Sequence, residues 1–168
     1  SYFETFPGVW RHGDFVEFDR RGVIIHGRSD STLNRNGIRL GSADIYAAVE
    51  ALPQVAEALV IGAELGTDYY MPLFVKLADG IDAAEARSAI ESAIRTNLSA
   101  RYLPDDIIVM AGIPHTKTGK KLEVPVKRLI QGAHLEDVAD LGAVDDPRLL
   151  ESYARFARVR LTPAARGI

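Results

Sequence analysis

The chain has 168 residues, of which 47% are hydrophobic and 26% charged, and this is the composition of a folded globular domain. Its net charge of −3 argues against a nucleic-acid-binding module, and the absence of cysteine excludes disulfides, thiolate metal sites and cysteine nucleophiles. It has no signal peptide and no apolar run of the roughly 20 residues that cross a bilayer, so we expect a cytoplasmic protein with no membrane partner.

The first predicted elements are a β-hairpin and a helix. In residues 15–27, "FVEFDRRGVIIHG", apolar and polar side chains alternate before a turn-rich spacer at 19–22, and an apolar run follows it. This pattern is typical of a β-hairpin. The following run "SADIYAAVEAL" has apolar residues at helical spacing. It predicts a helix with Ser42 as its N-cap, and Pro53 ends it.

A small sheet and a second helix follow. Short β-rich apolar runs at 55–62 and 71–78 predict core strands, and "DIIVMA" at 106–111 predicts a third. Between them, residues 82–98 predict a helix that begins with Asp82 as its cap. The pattern predicts an α+β fold, a two-layer module in which helices pack on a small mixed sheet.

The remaining elements are mostly helical. Pro125 predicts the start of a short helix that ends near Gly132. Residues 133–146 are acidic and typical of a loop, and Asp146 followed by Pro147 predicts the start of a last helix. We expect a helical C-terminal extension after the sheet.

Several familiar sites are excluded. A phosphate-binding P-loop needs four residues between its glycine and the Gly-Lys pair, whereas six residues lie between Gly112 and Gly119-Lys120. The four histidines are far apart, so we expect no metal site in the chain. No G-x-S-x-G motif supports serine hydrolase chemistry.

Three polar stretches remain as candidate sites. "WRHGD" places Asp14 after a glycine, where a carboxylate can accept two hydrogen bonds from a vicinal diol; the alternative is a strand-start turn. In "GRSDSTLNRNGIRLGSADI", Arg35, Arg39 and the side-chain-free Gly37 suit the close approach of a phosphorylated ligand. The alternative there is a solvated charged loop.

The third stretch is "PHTKTGKKLEVP" at residues 114–125. Gly119 permits a tight turn that projects Lys120, whose compact ammonium can neutralise a phosphate. The alternative is an exposed lysine-rich turn. We choose Lys120 over Lys121 because it directly follows the glycine, and Lys117 is the weakest candidate.

Taken in order, "WRHGD", "GRSDSTLNRNGIRLGSADI" and "IPHTKTGKK" resemble the closing core motifs of the adenylate-forming ligases. That superfamily contains acyl-CoA synthetases, luciferases and nonribosomal adenylation domains. The details, including "GKKLEVPVK", are most similar to the branch that activates acetoacetate. Most relatives have threonine at the position of His12, and a hydrophobic residue and arginine at those of Lys121 and Glu123.

The resemblance implies a two-step ligase reaction. A carboxylate and ATP give an acyl-adenylate and pyrophosphate, and the acyl group then passes to the thiol of coenzyme A. The implied cofactors are ATP, Mg²⁺ held with ATP mainly by a large N-terminal domain, and coenzyme A. The implied substrate is acetoacetate, with acetate, propionate or another short acid as the alternative.

The resemblance also implies a domain organisation. Residues 1–29 resemble the end of the large domain and the hairpin leading to a hinge, residues 30–132 a mobile C-terminal lid, and residues 133–168 a C-terminal extension. The partners implied are the chain's own N-terminal domain and a small carboxylic acid. The chain begins in mid-pattern without methionine, so we expect a piece of a larger enzyme that is inactive alone.

The resemblance implies a role for each residue that occupies a functional position of the family's motifs. The ATP contacts are Asp14, at the ribose hydroxyls, with Arg28 and Arg39; the hinge is Asp30; the coenzyme A contacts are Asn36, Gly37 and Arg95; and the adenylation lysine is Lys120. The resemblance further implies reversible acetylation of Lys120, with a lysine acetyltransferase and a deacetylase as partners. A hypothesis from another class is a stand-alone binding module that uses the basic loop as a docking surface.

Overall fold

The computed structural model describes residues 7–9, 13–28, 32–35 and 37–160. The strands, in chain order, are β1 (Asp14–Asp19), β2 (Gly22–Arg28), β3 (Leu33–Arg35), β4 (Ile38–Leu40), β5 (Val55–Val60), β6 (Ala63–Leu65), β7 (Asp68–Tyr70), β8 (Pro72–Leu77) and β9 (Asp106–Val109). The α-helices are α1 (Ser42–Val49), α2 (Ala83–Asn97), α3 (Glu123–Ile130), α4 (Leu135–Val138) and α5 (Pro147–Arg160).

The N-terminal hairpin agrees with the sequence pattern. Strands β1 and β2 pair antiparallel from Asp19 opposite Gly22 to Asp14 opposite Arg28. The Asp19 carboxylate accepts hydrogen bonds from the N–H groups of Arg21 at 2.6 Å and Gly22 at 2.9 Å. This local bonding is why the spacer forms a turn.

The central sheet has three strands in the order β5-β8-β9. Strand β8 pairs antiparallel with β5 and parallel with β9, so the sheet is mixed, as predicted. The parallel pair is joined through α2, the kind of long connection that parallel strands require. The α+β class and the mixed sheet are therefore confirmed.

Helices cover both faces of this sheet, so the module has three layers and not the predicted two. Leu59 and Phe74 pack with α3 and α5, whereas their neighbours along the strands pack with α1 and α2. Those neighbours are Ala58, Val60, Leu73 and Val75. Apolar runs without polar alternation are typical of strands buried on both faces, which is the signal that the two-layer prediction missed.

The helix starts differ in detail from the predictions. Asp82 caps α2 as predicted, since its carboxylate accepts the N–H groups of Ala84 at 2.9 Å and Glu85 at 3.0 Å. Helix α1, however, has Gly41 at its N-cap position with no side-chain cap, and Ser42 is already its first residue. A helix start places few demands on side chains when its N–H groups face solvent, so the cap shifts easily by one residue.

Helix α3 begins at Glu123, two residues before the predicted start at Pro125. The first N–H groups of a helix have no intrahelical acceptor, so proline is tolerated throughout the first turn and not only at its first residue. Pro125 is the third residue of α3 and breaks no helical hydrogen bond. Helix α1 likewise ends at Val49, before Pro53 is reached.

The C-terminal segment is part of the hydrophobic core. The acidic stretch predicted as a loop contains α4 and a short 3-10 turn at Leu141–Ala143. Tyr153 is fully buried, its ring lies edge-on to Phe74 with 4.8 Å between centroids, and its hydroxyl donates to the Gly112 carbonyl at 3.1 Å. Burial, with Glu57 as a smaller cause, raises the pKa of Tyr153. The domain boundaries proposed from the sequence stay predictions.

Candidate functional site

The lysine-rich stretch forms a tight hairpin. Its two arms meet at a bridge between His115 and Lys121, and the Thr116 N–H donates to the Lys120 carbonyl at 2.8 Å. The Gly119 N–H donates to the Thr116 carbonyl at 2.8 Å, and Gly119 has φ +82°, a conformation that favours glycine. The backbone around Lys120 is thus fixed by short-range hydrogen bonds that a single glycine makes possible.

Lys120 is exposed at the tip of this hairpin. Within the described ranges, no hydrogen bond or ion pair engages its ammonium. Its own N–H donates to the Thr116 hydroxyl oxygen at 3.1 Å, which orders the backbone while leaving the side chain unengaged. An ammonium on a fixed backbone, with a flexible stem, is able to reach an approaching anion.

Lys121 has the opposite environment. Its ammonium lies 2.6 Å from Glu50 Oε1 and 3.9 Å from the centroid of the Tyr46 ring, and only 20% of its side chain is exposed. The Tyr46 hydroxyl donates to Glu123 Oε1 at 2.5 Å. Burial, followed by the charge of Glu123, raises the pKa of Tyr46, so this tyrosine stays a neutral donor. Lys121 and Glu123 therefore fasten the hairpin and α3 to α1.

The other arm of the hairpin is held on two sides. His115 Nε2 lies 2.6 Å from Glu57 Oε1 on β5. On the outer edge, the Lys117 N–H donates to the Ala143 carbonyl at 2.9 Å, while the Lys117 side chain is exposed. The three lysines thus differ in their contacts. Lys121 is held through its ammonium, Lys117 through its backbone N–H, and Lys120 through its backbone with its ammonium unengaged.

The second polar stretch folds as the small hairpin β3–β4, with Gly37 at its turn and φ +78°. Arg35 was expected to reach a phosphorylated ligand, but its guanidinium donates to the Leu103 carbonyl and to the Asp105 carboxylate. Asp105 also accepts the Met71 N–H at 2.7 Å. Arg35 therefore clamps the β3–β4 hairpin onto the body, and its contact with a phosphorylated ligand stays a prediction.

Arg39 and Asp14 lie near the N-terminal hairpin. Arg39 is exposed on β4 and lines a cleft of about 610 Å³ together with residues of β1 and β2, among them Val16 and Ile24. Asp14 is half-buried at the start of β1. Each of these two residues has a further interaction in the molecule. The side chain of Arg28, with Asp30 and Asn36, lies outside the described residues.

Arg95 is exposed on α2 and forms an ion pair with Glu91 one turn earlier, at 3.2 Å. It lies on a different helix from the residues that hold the Lys120 hairpin. Lys120, Gly37 and Arg95 thus lie on three separate elements of the fold.

The residues that fasten the hairpin were not predicted from the sequence. Tyr46 and Glu50 lie four residues apart, on one face of α1, and that spacing was the available signal. Their partners are more than 70 positions away, so the pairing needed the tertiary structure.

No group of three or more metal-ligating side chains occurs in the ranges that the structure covers. None of the helices there is long and apolar enough to cross a membrane.

The chain is similar to known proteins both in a family comparison and in whole sequences. Residues 44–120 match the family described as AMP-binding enzyme C-terminal domain. The acetoacetyl-coenzyme A synthetase of Rhizobium meliloti is 43% identical over 95% of this chain, and the acetoacetyl-CoA synthetase of Xenopus tropicalis is 41% identical over 95%. Each match covers 24% of the relative, so the chain spans about a quarter of the length of these proteins.

Solved structures give the same result. The acetoacetyl-CoA synthetase of Streptomyces lividans superposes with a TM-score of 0.84 and 54% identity, over 95% of this chain and 24% of its own. MatB from Rhodopseudomonas palustris superposes with a TM-score of 0.61 at 22% identity over 73% of this chain and 24% of its own, which shows the shared fold alone.

Proposed function

We propose that this chain is the mobile lid of an ATP-dependent acid–CoA ligase, because residues 44–120 match the family described as AMP-binding enzyme C-terminal domain. The proposed reaction joins acetoacetate, ATP and coenzyme A into acetoacetyl-CoA, AMP and pyrophosphate through an acyl-adenylate. Its substrate is proposed from the names of relatives that are 41–54% identical over 95% of the chain. The rest of the active site, including the acyl pocket, belongs to the large domain of the proposed enzyme.

One observation carries the catalytic assignment, namely the unengaged ammonium of Lys120 on an ordered glycine turn. Adenylation moves negative charge onto the α-phosphate and the leaving pyrophosphate. A cation aimed there stabilises the transition state more than the ground state, and so accelerates the reaction. Thioester formation develops no such charge, so Lys120 serves the first half-reaction only, and rotation of the lid withdraws it for the second.

The other site residues are proposed contacts of the two large substrates. Asp14 binds the ribose hydroxyls of ATP, and Arg28 and Arg39 bind the nucleotide and its phosphates. The exposed turn at Gly37 fits a backbone that passes beside the pantetheine chain of coenzyme A, with Asn36 next to it. Arg95 would leave Glu91 for a coenzyme A phosphate, an exchange that an exposed ion pair permits at little energetic cost. Asp30 is the proposed hinge.

Magnesium is proposed to arrive with ATP and to be held by the large domain. The part of the chain that the structure describes offers no group of three carboxylates or histidines for it. No step of the proposed mechanism passes through the metal. The positive charge that this chain is proposed to supply to the ATP phosphates is that of Lys120, Arg28 and Arg39.

Exposure of Lys120 also supports its proposed acetylation. Acetylation removes the positive charge and leaves the backbone of the turn intact. A lysine acetyltransferase would therefore block adenylation alone, and a deacetylase would restore it. Lys121 is a poorer target because its ammonium is held between Glu50 and Tyr46.

The test is Lys120→Ala in the full-length enzyme, assayed in each half-reaction separately. We expect pyrophosphate release with acetoacetate to fall about 100-fold to 1,000-fold, the range for loss of a group that stabilises transition-state charge. Thioester formation from supplied acetoacetyl-adenylate should stay near the parent rate. Lys117→Ala is the matched control, because it removes an exposed lysine from the same hairpin and keeps the backbone N–H.

Two results would contradict the proposal. Equal loss of both half-reactions in Lys120→Ala would contradict the selective role of the lysine. Faster adenylation with acetate or propionate than with acetoacetate would contradict the substrate. The first result needs pyrophosphate release and thioester formation to be measured side by side, and the second is read by pyrophosphate release with a panel of short acids.

A further inference from the structure

A short segment close to the C-terminus runs beside the hairpin that carries Lys120. Val144 forms an antiparallel bridge with Thr116. The Lys117 N–H donates to the Ala143 carbonyl at 2.9 Å, and the Asp145 N–H donates to the His115 carbonyl at 2.9 Å. Residues 143–145 thus add a third strand to the two arms of the hairpin. This strand lies outside the region 44–120 that the family comparison matches.

The added strand acts on the arm that orders Lys120. Thr116 is bridged to Val144 on its outer edge, and on its inner edge it is bonded twice to Lys120, through backbone and hydroxyl. Two-stranded hairpins are marginal in water, and a third strand is what usually makes such a ladder stable. The bonds of this bridge run from the Lys117 N–H to the Ala143 carbonyl and from the Asp145 N–H to the His115 carbonyl, so the third strand holds the arm on both sides of Thr116, the residue bonded to Lys120.

The segment is itself firmly anchored. Val144 is only 3% exposed and belongs to the hydrophobic core that includes Ile113 and Leu122, which lie next to the two arms of the hairpin. The Ala143 N–H donates to the Asp140 carbonyl at 2.9 Å, which closes the 3-10 turn. Helix α5 follows at once, and its Tyr153 hydroxyl holds the Gly112 carbonyl. The third strand is thus tied to the core on both sides and is a suitable rigid support.

From these contacts we infer that the backbone of residues 143–145 positions Lys120 for adenylation, with Val144 and Asp145 as positioning residues. The inference rests on the proposed function, since it assumes that Lys120 acts on the phosphates. A catalytic group must be held to within a fraction of an ångström of its working place, and small displacements cost large factors in rate. The segment acts on Lys120 through the hairpin arm 115–117, to which its backbone is bonded.

Asp145→Pro is the sharpest variant that the structure offers. Proline lacks the N–H that bonds to the His115 carbonyl. The residue before it, Val144, has φ −84° and ψ 141°, the extended conformation that a residue before proline adopts without strain. Asp145→Ala is the matched control, because it removes the same exposed side chain and keeps the N–H. Val144→Ala is a second variant, which keeps both backbone bonds and removes the buried anchor.

Each variant is measured in the full-length enzyme, in both half-reactions. For Asp145→Pro we expect kcat of adenylation to fall about tenfold, a fraction of the loss seen when a reacting group is misplaced by a full ångström. Its thioester formation from supplied acyl-adenylate should stay within about twofold of the parent. Asp145→Ala should match the parent in both. Amide hydrogen exchange of Lys117 and Lys120 should be faster in Asp145→Pro and Val144→Ala than in Asp145→Ala.

The inference is overturned if Asp145→Pro and Asp145→Ala adenylate at the same rate. It is also overturned if Asp145→Pro slows both half-reactions equally, because that result indicates general damage to the domain. Lys120→Ala distinguishes this failure from failure of the proposed function. If Lys120→Ala loses adenylation while Asp145→Pro does not, only the positioning role is wrong.

Discussion

Lys121 and Glu50 form an ion pair across 71 positions of sequence, with 2.6 Å between Nζ and Oε1. Glu50 Oε1 also accepts the Ala58 N–H at 2.9 Å, so the pair links the Lys120 hairpin to both α1 and β5. The ammonium also contacts the face of the Tyr46 ring, which adds a cation–π interaction. The residue next to the proposed catalyst is therefore a structural anchor, and its removal has a calculable cost.

We expect Lys121→Ala to lower the free energy of unfolding by about 1 kcal/mol, the combined scale of a partly exposed ion pair and a cation–π contact. Urea unfolding of the chain measures it, with Lys117→Ala as the control that should change little. A double-mutant cycle with Glu50→Ala should give a coupling energy of about 0.5–1 kcal/mol that decreases in high salt. Additive single effects would show that the ion pair contributes nothing.

Arg35→Lys should destabilise the chain although it conserves charge. The Arg35 guanidinium bonds the Leu103 carbonyl and the Asp105 carboxylate at once, which a lysine ammonium does not reproduce in the same geometry. We expect a loss of about 1–2 kcal/mol in urea unfolding. Arg101→Lys, at an exposed position, is the control and should be close to neutral. Equal stability of both variants would show that the clamp is not a source of stability.

Much of the fold follows from local signals in the sequence. Asp82 before α2 bonds two N–H groups of the first turn, and apolar runs mark the three core strands. Such features depend on residues a few positions apart, and a pattern reports them directly. The three-residue strands β3, β4, β6 and β7 were not predicted, since three residues are too few to show a period.

The environment of the site depends on contacts between distant positions. The motif spacing selects Lys120, but nothing near it in sequence indicates that Lys121 meets Glu50 or that Thr116 meets Val144. An acidic segment such as 133–146 looks like a loop when only its own residues are considered. It becomes ordered because Val138 and Val144 find room in a core built by β5, β8 and α3.

The buried Tyr153 gives the stability a dependence on alkaline pH. Burial raises its pKa in the folded state above the ordinary value of about 10. Its contribution is therefore complete below pH 10 or so and is lost as pH rises further, because only the unfolded chain then releases the proton. We expect the unfolding free energy to fall by about 1.4 kcal/mol per pH unit above that point for this residue.

Tyr153→Phe isolates this effect. Near neutral pH the variant should be less stable by about 1 kcal/mol, since the Gly112 carbonyl loses its donor. Above pH 10 or so its stability should decrease less steeply than that of the parent, so the difference narrows. Urea unfolding at a series of pH values measures both. Parallel curves for the two proteins would contradict a raised pKa.

Comparing Gly119→Ala with Gly80→Ala separates the effect of backbone strain beside Lys120 from the effect of the same strain elsewhere in the chain. Gly119 has φ +82° and Gly80 has φ +77°, and an added Cβ meets no atom within 4 Å at either position. Each alanine substitution should therefore cost about 1 kcal/mol through backbone conformation alone, with no clash. The two variants are matched in stability, and they differ in whether the strained residue precedes Lys120.

In the full-length enzyme we expect Gly119→Ala to slow adenylation and Gly80→Ala to leave it unchanged, while neither alters thioester formation from supplied acyl-adenylate. Gly119→Asn should recover part of the lost rate, because asparagine adopts the left-handed conformation more readily than alanine. Pyrophosphate release and urea unfolding, measured on the same three variants, separate rate from stability. If Gly119→Ala and Gly80→Ala slow adenylation equally, the loss follows from stability and the turn has no special role in presenting Lys120.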